Sequence, residues 1–205
     1  MSAARTVTVL EDTGLAGRHL QDQVNPKRCG HLDGKAVEPT GEMIKRLRAA
    51  LSARRDTNFV VCARTDAAGI EGVPAAIERA KAYADAGADQ IFTEALQTPA
   101  SSSKFRSAID TPLLANMTEF GKSELLTAEQ LPDIGYNIAV TTLRLAMFPV
   151  ETGLRAIVET GTQSGLFDQM QHRGRLYELL RCADYYQFDS DIYNFAVEER
   201  PDEGH

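Results

Sequence analysis

Cysteine is scarce: three in 205 residues, an odd number without regular spacing. That excludes a disulfide scaffold and fits a reducing, cytoplasmic setting. Long hydrophobic runs are missing too, and none approaches the about 20 residues of a membrane span. The first residues carry Arg5 but also Glu11 and Asp12, with no apolar signal core ahead of a cleavage site. Positive charge is in the minority, 22 Lys and Arg against 29 Asp and Glu, for a net charge of −7. This argues against non-specific nucleic-acid binding, while a small anionic substrate needs only local positive charge. Low-complexity linkers are lacking, and a chain of this length can bury a sizeable core as one domain.

Against that background one stretch stands out, Lys27-Arg28-Cys29-Gly30-His31. Its cysteine sits among side chains that are or can be cationic, and such neighbours favour a thiolate usable as acid or nucleophile. Asn25-Pro26 before it and Gly30 within it point to a loop, where a reactive group can reach a substrate. On chemistry alone, a solvated basic loop with an incidental cysteine is an equal reading. Cys62, inside Phe59-Val60-Val61-Cys62-Ala63, reads as a packed core residue, and Cys182 has no polar constellation around it.

The rest of the chain alternates strand and helix. A helix is predicted over 3–13 with Val7 and Leu10 on one face, ended by Gly14, then a strand at 17–21 and the cysteine loop. Thr40 reads as the N-cap of an amphipathic helix with Met43, Ile44, Leu47, Ala50 and Leu51 at helical spacing. Phe59 to Ala63 is a short apolar run suited to a strand covered on both faces. Pro74 opens a helix that Gly87 closes, Gln90 to Phe92 is a strand, and Pro99 starts a helix to Ile109. Leu113 to Ala115 is the fourth strand, Thr127 caps a short helix ending near Gly135, and Tyr136 to Val140 is the fifth strand. A helix across Leu143 to Glu159 and two more near 164–172 and 174–182 lead to an aromatic tail with Tyr185, Tyr186, Phe188, Tyr193 and Phe195. Crossovers of this length allow only parallel pairing, so the class is α/β with a parallel sheet.

Taken together, the segment His19 to His31 resembles the signature of the isocitrate lyase and phosphoenolpyruvate mutase superfamily. Further matches are Ala63-Arg64-Thr65-Asp66-Ala67, Phe92-Thr93-Glu94-Ala95, Asn116-Met117-Thr118-Glu119-Phe120-Gly121 and Thr141-Thr142-Leu143-Arg144. Gly161-Thr162-Gln163 and Met170-Gln171-His172-Arg173 are most like its 2-methylisocitrate lyase branch. The resemblance implies a TIM-type (β/α)8 barrel of which residues 1–160 make about five parallel strand–helix units, the first three strands lacking a counterpart. It further implies a C-terminal helical segment, 161–205, exchanged between subunits of a homotetramer.

The activity implied is cleavage of 2-methylisocitrate to pyruvate and succinate, a step of propionate catabolism through the methylcitrate cycle. By the same resemblance Cys29 is the general acid, with Lys27 and His31 tuning and positioning it. Arg28, Gly30, Arg64, Glu94, Asn116, Thr118 and Arg144 hold or orient a small di- or tricarboxylate. Magnesium is the implied cofactor, and Gln21 occupies a metal-side position where relatives carry a glutamate, an amide being a weaker partner for a hard cation. Relatives also place about three more residues between the fifth strand and the Thr-Thr-Leu-Arg motif, which bears on the reach of Arg144. Two other readings stand beside the lyase: a catalytically inactive barrel fragment or oligomer partner, and a carboxyphosphonoenolpyruvate mutase-like enzyme.

Overall fold

Short apolar strands bounded by turn residues, each followed by an amphipathic helix, can bury both sheet faces only if the strands run parallel. The computed structural model describes residues 2–30, 32–121 and 123–193. Its elements in chain order are α1 (Ser2–Asp12), β1 (Gly17–Gln21), α2 (Thr40–Ala53), β2 (Val60–Thr65), α3 (Val73–Asp85), β3 (Gln90–Thr93) and α4 (Pro99–Ala108), then β4 (Leu113–Asn116), α5 (Gln130–Asp133), β5 (Ile138–Val140), α6 (Arg144–Thr160), α7 (Arg173–Leu179) and α8 (Cys182–Tyr193). Each strand pairs in parallel with the next, in the order β1-β2-β3-β4-β5. The sheet curls into a half-barrel, the partial TIM-type architecture that the resemblance implied.

The register separates packing from chemistry. Side chains alternate along a strand, and the pairs Gln21↔Arg64, Arg64↔Phe92 and Phe92↔Leu114 share one face. The alternate residues Leu20, Val61, Ala63, Ile91, Leu113 and Ala115 point the other way and join the main core. There they meet Met43 and Leu47 of α2, Ile77 and Tyr83 of α3, and Phe105 of α4. The face carrying Gln21, Arg64 and Asn116 is therefore the concave one, facing away from the helices. Cys62 lies on that face, buried but outside the main cluster. Burial pushes its thiol up to about 12, which makes it inert at neutral pH.

Several local expectations shift. Thr40 is the first residue of α2 rather than its cap: Pro39 precedes it in an extended conformation, and no side chain caps the end. Residues Ser164–Gln169 form a 3₁₀ turn in place of the helix expected at 164–172. The aromatic tail is a helix in its own right, α8, because Tyr185, Phe188 and Ile192 recur at helical spacing; Phe195 lies outside the described residues. The N-cap position of α5 is Glu129 and not Thr127, and no side chain caps the helix there. Thr127 instead closes the preceding turn, its hydroxyl accepting from the Gln130 amide at 3.2 Å while Gln130 Oε1 accepts from the Thr127 amide at 2.9 Å.

The chain divides into two compact units, Met1–Leu143 and Arg144–His205. In the second, α6, α7 and α8 bury none of their side chains, and Phe148, Leu154, Tyr185 and Phe188 are exposed.

Candidate active site

Four of the expected residues stand at the C-terminal ends of successive strands, the rim where a β/α barrel gathers its chemistry. Gln21 ends β1, Arg64 lies one residue before the end of β2, Glu94 follows β3 and Asn116 ends β4. The Arg64 guanidinium lies 4.8 Å from the centroid of the Phe92 ring. Its Nε and Nη2 donate to the two Asp66 carboxylate oxygens at 3.0 and 3.1 Å. Nη2 also stands 3.2 Å from Glu94 Oε2, and both carboxylates are fully buried. Gln21 Nε2 donates to Asp66 Oδ2 at 2.7 Å and Asn116 Nδ2 to Glu94 Oε2 at 3.3 Å. Burial works to lower the Arg64 pKa, but the Asp66 bonds and the charges of Glu94, Asp66 and Cys29 outweigh it and hold it raised. Among the described residues Arg64 Nη1 has no hydrogen-bond partner, which leaves it for a ligand.

The cysteine loop closes over this rim. Cys29 is a free, exposed thiol within electrostatic reach of Arg64. Gly30 is buried against the Glu94 carboxyl, so closely that any β-carbon at this position would collide with it. Glycine is thus required by close approach. Partial burial, then the charges of Arg46, Arg64 and Arg18, push the Lys27 amine below its ordinary value. The same burial effect followed by Arg64, Arg18 and Lys27 pushes His19 down from 6.5, so its imidazole is neutral at pH 7. These mutual effects mark a local concentration of positive charge in a chain that is negative overall. Arg28 turns towards its own loop, its Nη1 3.2 Å from where a β-carbon on Gly34 would sit. Thr118 lies two residues past β4, Glu119 accepts from the Thr142 hydroxyl, and Arg144 opens α6 in the second unit. His31 lies outside the described residues.

Sequence reasoning missed the buried polar hub beneath the rim. Asp22, fully buried, accepts the Asp66 amide at 2.9 Å through Oδ1 and the Tyr83 hydroxyl at 3.0 Å through Oδ2. Arg79 approaches Oδ2 at 3.9 Å, donates to the Glu38 carbonyl at 2.8 Å and forks Glu71 at 2.7 and 2.8 Å. Asp22 therefore joins the ends of β1 and β2, the return of the cysteine loop and α3. The available signal was an acid placed directly after a predicted strand.

Burial raises the Asp22 carboxyl above its ordinary 3.8; bonds from Asp66, Thr65 and Tyr83 oppose the rise, and the Asp66 charge adds to it. A carboxyl with a native pKa above its unfolded one contributes stability that is full below the unfolded value and is lost as pH rises through the native value. Urea midpoints of Asp22→Asn should therefore gain on the parent chain as pH rises from about 3 to about 8. A constant difference across that range would contradict the assignment.

Residues 1–160 match the protein family described as phosphoenolpyruvate phosphomutase. The chain belongs to that family. It is 63% identical over 201 residues to a protein of Corynebacterium glutamicum named probable 2-methylisocitrate lyase 2, covering 97% of this chain and 66% of that relative. The 2-methylisocitrate lyase of Escherichia coli strain K12 is 41% identical over 198 residues, covering 94% and 65%. Among solved structures, oxaloacetate acetylhydrolase in complex with 3,3-difluorooxalacetate superimposes with a TM-score of 0.82 at 34% identity, over 95% of this chain and 67% of that one. 2,3-Dimethylmalate lyase, described as a PEP mutase/isocitrate lyase superfamily member, gives 0.79 at 28% identity, over 96% and 68%. The chain thus spans about two thirds of the length of the curated relatives it matches.

The magnesium ion implied by this superfamily does not fit the donors described. Both Asp66 oxygens are committed to Arg64 and Gln21, Glu94 pairs with Arg64 and Asn116, and Gln21 presents an amide donor to Asp66. A small hard cation needs carboxylate oxygens that are not already neutralised. Among the described residues no group of three or more His, Cys, Asp or Glu is arranged to hold a metal ion. Titrating the purified chain with magnesium should accordingly produce no saturable heat and no change in melting temperature. Saturable binding would contradict this.

Proposed function

We propose that this chain carries the carboxylate-binding and proton-delivering part of a carbon–carbon lyase site of the 2-methylisocitrate type. The observation that carries the reading is the placement of Cys29 within the field of Arg64, on a rim that also holds Glu94 and Asn116. The names of the relatives supply the substrate. In the cleavage of 2-methylisocitrate the hydroxyl proton goes to a base, and the C–O bond becomes the carbonyl of pyruvate as the carbon–carbon bond breaks. The electron pair is left as a carbanion on the succinate carbon, stabilised by its carboxylate. Arg64 binds a substrate carboxylate by a charge-assisted hydrogen bond from its remaining nitrogen, Nη1, the other two being held by Asp66. Glu94 pairs with the Arg64 guanidinium and orients the substrate or the loop, while Asn116 and Thr118 serve as further carboxylate donors. Arg28 and Gly30 shape the loop over the ligand. Cys29 gives its proton to the succinate carbon as a positioned general acid, with Lys27 and His31 as the residues that tune it.

The three unpaired thiols support a reducing, cytoplasmic setting. The uncovered apolar side chains of α6 and α8 support docking on neighbouring subunits, as in a homotetramer.

A specific observation favours the second reading, an inactive barrel fragment or oligomer partner: the rim carboxylates are already spent on Arg64, Gln21 and Asn116. The deciding experiment is pyruvate release from 2-methylisocitrate with magnesium supplied. Turnover above a Cys29→Ser control supports the lyase; none above it overturns the lyase for this chain. A phosphorus NMR assay on a carboxyphosphonate tests the mutase alternative in the same preparation.

A further inference from the structure

We propose that Gln23 and Lys35 are positioning residues that pin the backbone on both sides of Cys29 and so fix its thiol relative to Arg64. The consequence for catalysis rests on the lyase reading above; the geometry does not. Gln23 is buried, 1% exposed, and its carboxamide engages both peptide groups of Arg28. Oε1 accepts from the Arg28 amide at 2.5 Å and Nε2 donates to the Arg28 carbonyl at 3.0 Å. One planar amide thus uses its acceptor and its donor on a single residue, which fixes that residue in position and orientation.

On the other flank the Lys35 ammonium donates to the Gly30 carbonyl. Its side chain is 4% exposed, and Nζ lies 4.0 Å from Asp66 Oδ1. The carboxylate that forks Arg64 therefore also faces the lysine holding the residue after Cys29. The base of the segment is tied off by Val24 N–H to Ala36 carbonyl at 2.9 Å, the Gln23↔Val37 bridge and Glu38 N–H to Asp22 carbonyl at 2.7 Å. Within it, the Leu32 amide donates to the Cys29 carbonyl at 3.0 Å. Cys29 is left exposed between two buried clamps. Its side chain is free to meet a substrate while its main chain is not free to drift.

Two clamps on one segment make a crosswise test. Amide hydrogen exchange is followed at Arg28 and Leu32 in the full chain, with amides of β2 and β3 as the control for folding. Lys35→Met should speed exchange at Arg28, the flank that Gln23 holds, and Gln23→Ala should speed it at Leu32, each by about tenfold, as for loss of one hydrogen bond. Lys35→Arg should return Arg28 to within about twofold of the parent rate. Either variant alone decides the matter should the other fail to fold. Unchanged exchange at the far flank, with β2 and β3 intact, would overturn the proposal. For the lyase activity, Lys35→Met should lower kcat with KM held. A parent chain without turnover would overturn the lyase reading and leave the exchange result standing.

Discussion

Replacing Cys29 by serine should lower pyruvate formation from 2-methylisocitrate by about 10²- to 10⁴-fold, the range for losing a positioned general acid. The side chains are nearly isosteric, so the loop keeps its clamps, but a hydroxyl gives up a proton far less readily than a thiol. Cys29 is exposed and packs into no core, so melting temperature should not move. The carboxylate-binding groups are untouched, so the loss should fall on kcat and leave KM near its parent value. Steady-state kinetics with a coupled pyruvate assay, beside a thermal melt, check both halves. A serine variant within about threefold of the parent would remove Cys29 from the proton transfer.

Arg64→Met should be the most damaging substitution for stability. Arg64 is the shared counter-charge of Asp66 and Glu94, both with fully buried side chains. Removing one partner of a buried pair leaves an uncompensated charge, at a cost of about 3–5 kcal/mol. For a chain of this size that corresponds to a fall in melting temperature of roughly 10 °C. Arg64→Lys keeps the charge but loses the fork on Asp66, and should fall between Met and the parent. The same change uncovers Phe92, over whose ring the guanidinium lies. A Met variant that melts within about 2 °C of the parent would show the pair of carboxylates to be satisfied without Arg64.

Where physics is local, the sequence was readable. The first strand, predicted at 17–21, occupies Gly17–Gln21. Thr127 and Gln130 bond one another across a single turn, and Arg64, Glu94 and Asn116 are legible as a rim because each lies at or just past the end of an apolar strand. What stayed hidden depends on contacts that only the fold creates. Asp22 and Tyr83 are 61 positions apart, and no spacing rule brings α3 under the end of β1. Lys35 stands in a polar stretch of the sequence, and only the return of that loop buries it beside Gly30 and Asp66. Thr40 misled because it has the chemistry of a cap, while the extended Pro39 had already taken the capping position. The aromatic tail is conspicuous by composition, whereas its helix rests on the spacing of Tyr185, Phe188 and Ile192.

The most direct test of the central claim, that Cys29 and Arg64 serve one carboxylate site, is protection of Cys29 from alkylation by succinate. Cys182, the half-buried thiol of the second unit, serves as the internal reference, and the modified peptides are read by mass spectrometry. Saturating succinate should slow iodoacetamide labelling at Cys29 by about tenfold while leaving Cys182 unaffected, and Arg64→Met should abolish the protection. Labelling of Cys29 at the same rate with and without succinate would contradict the account.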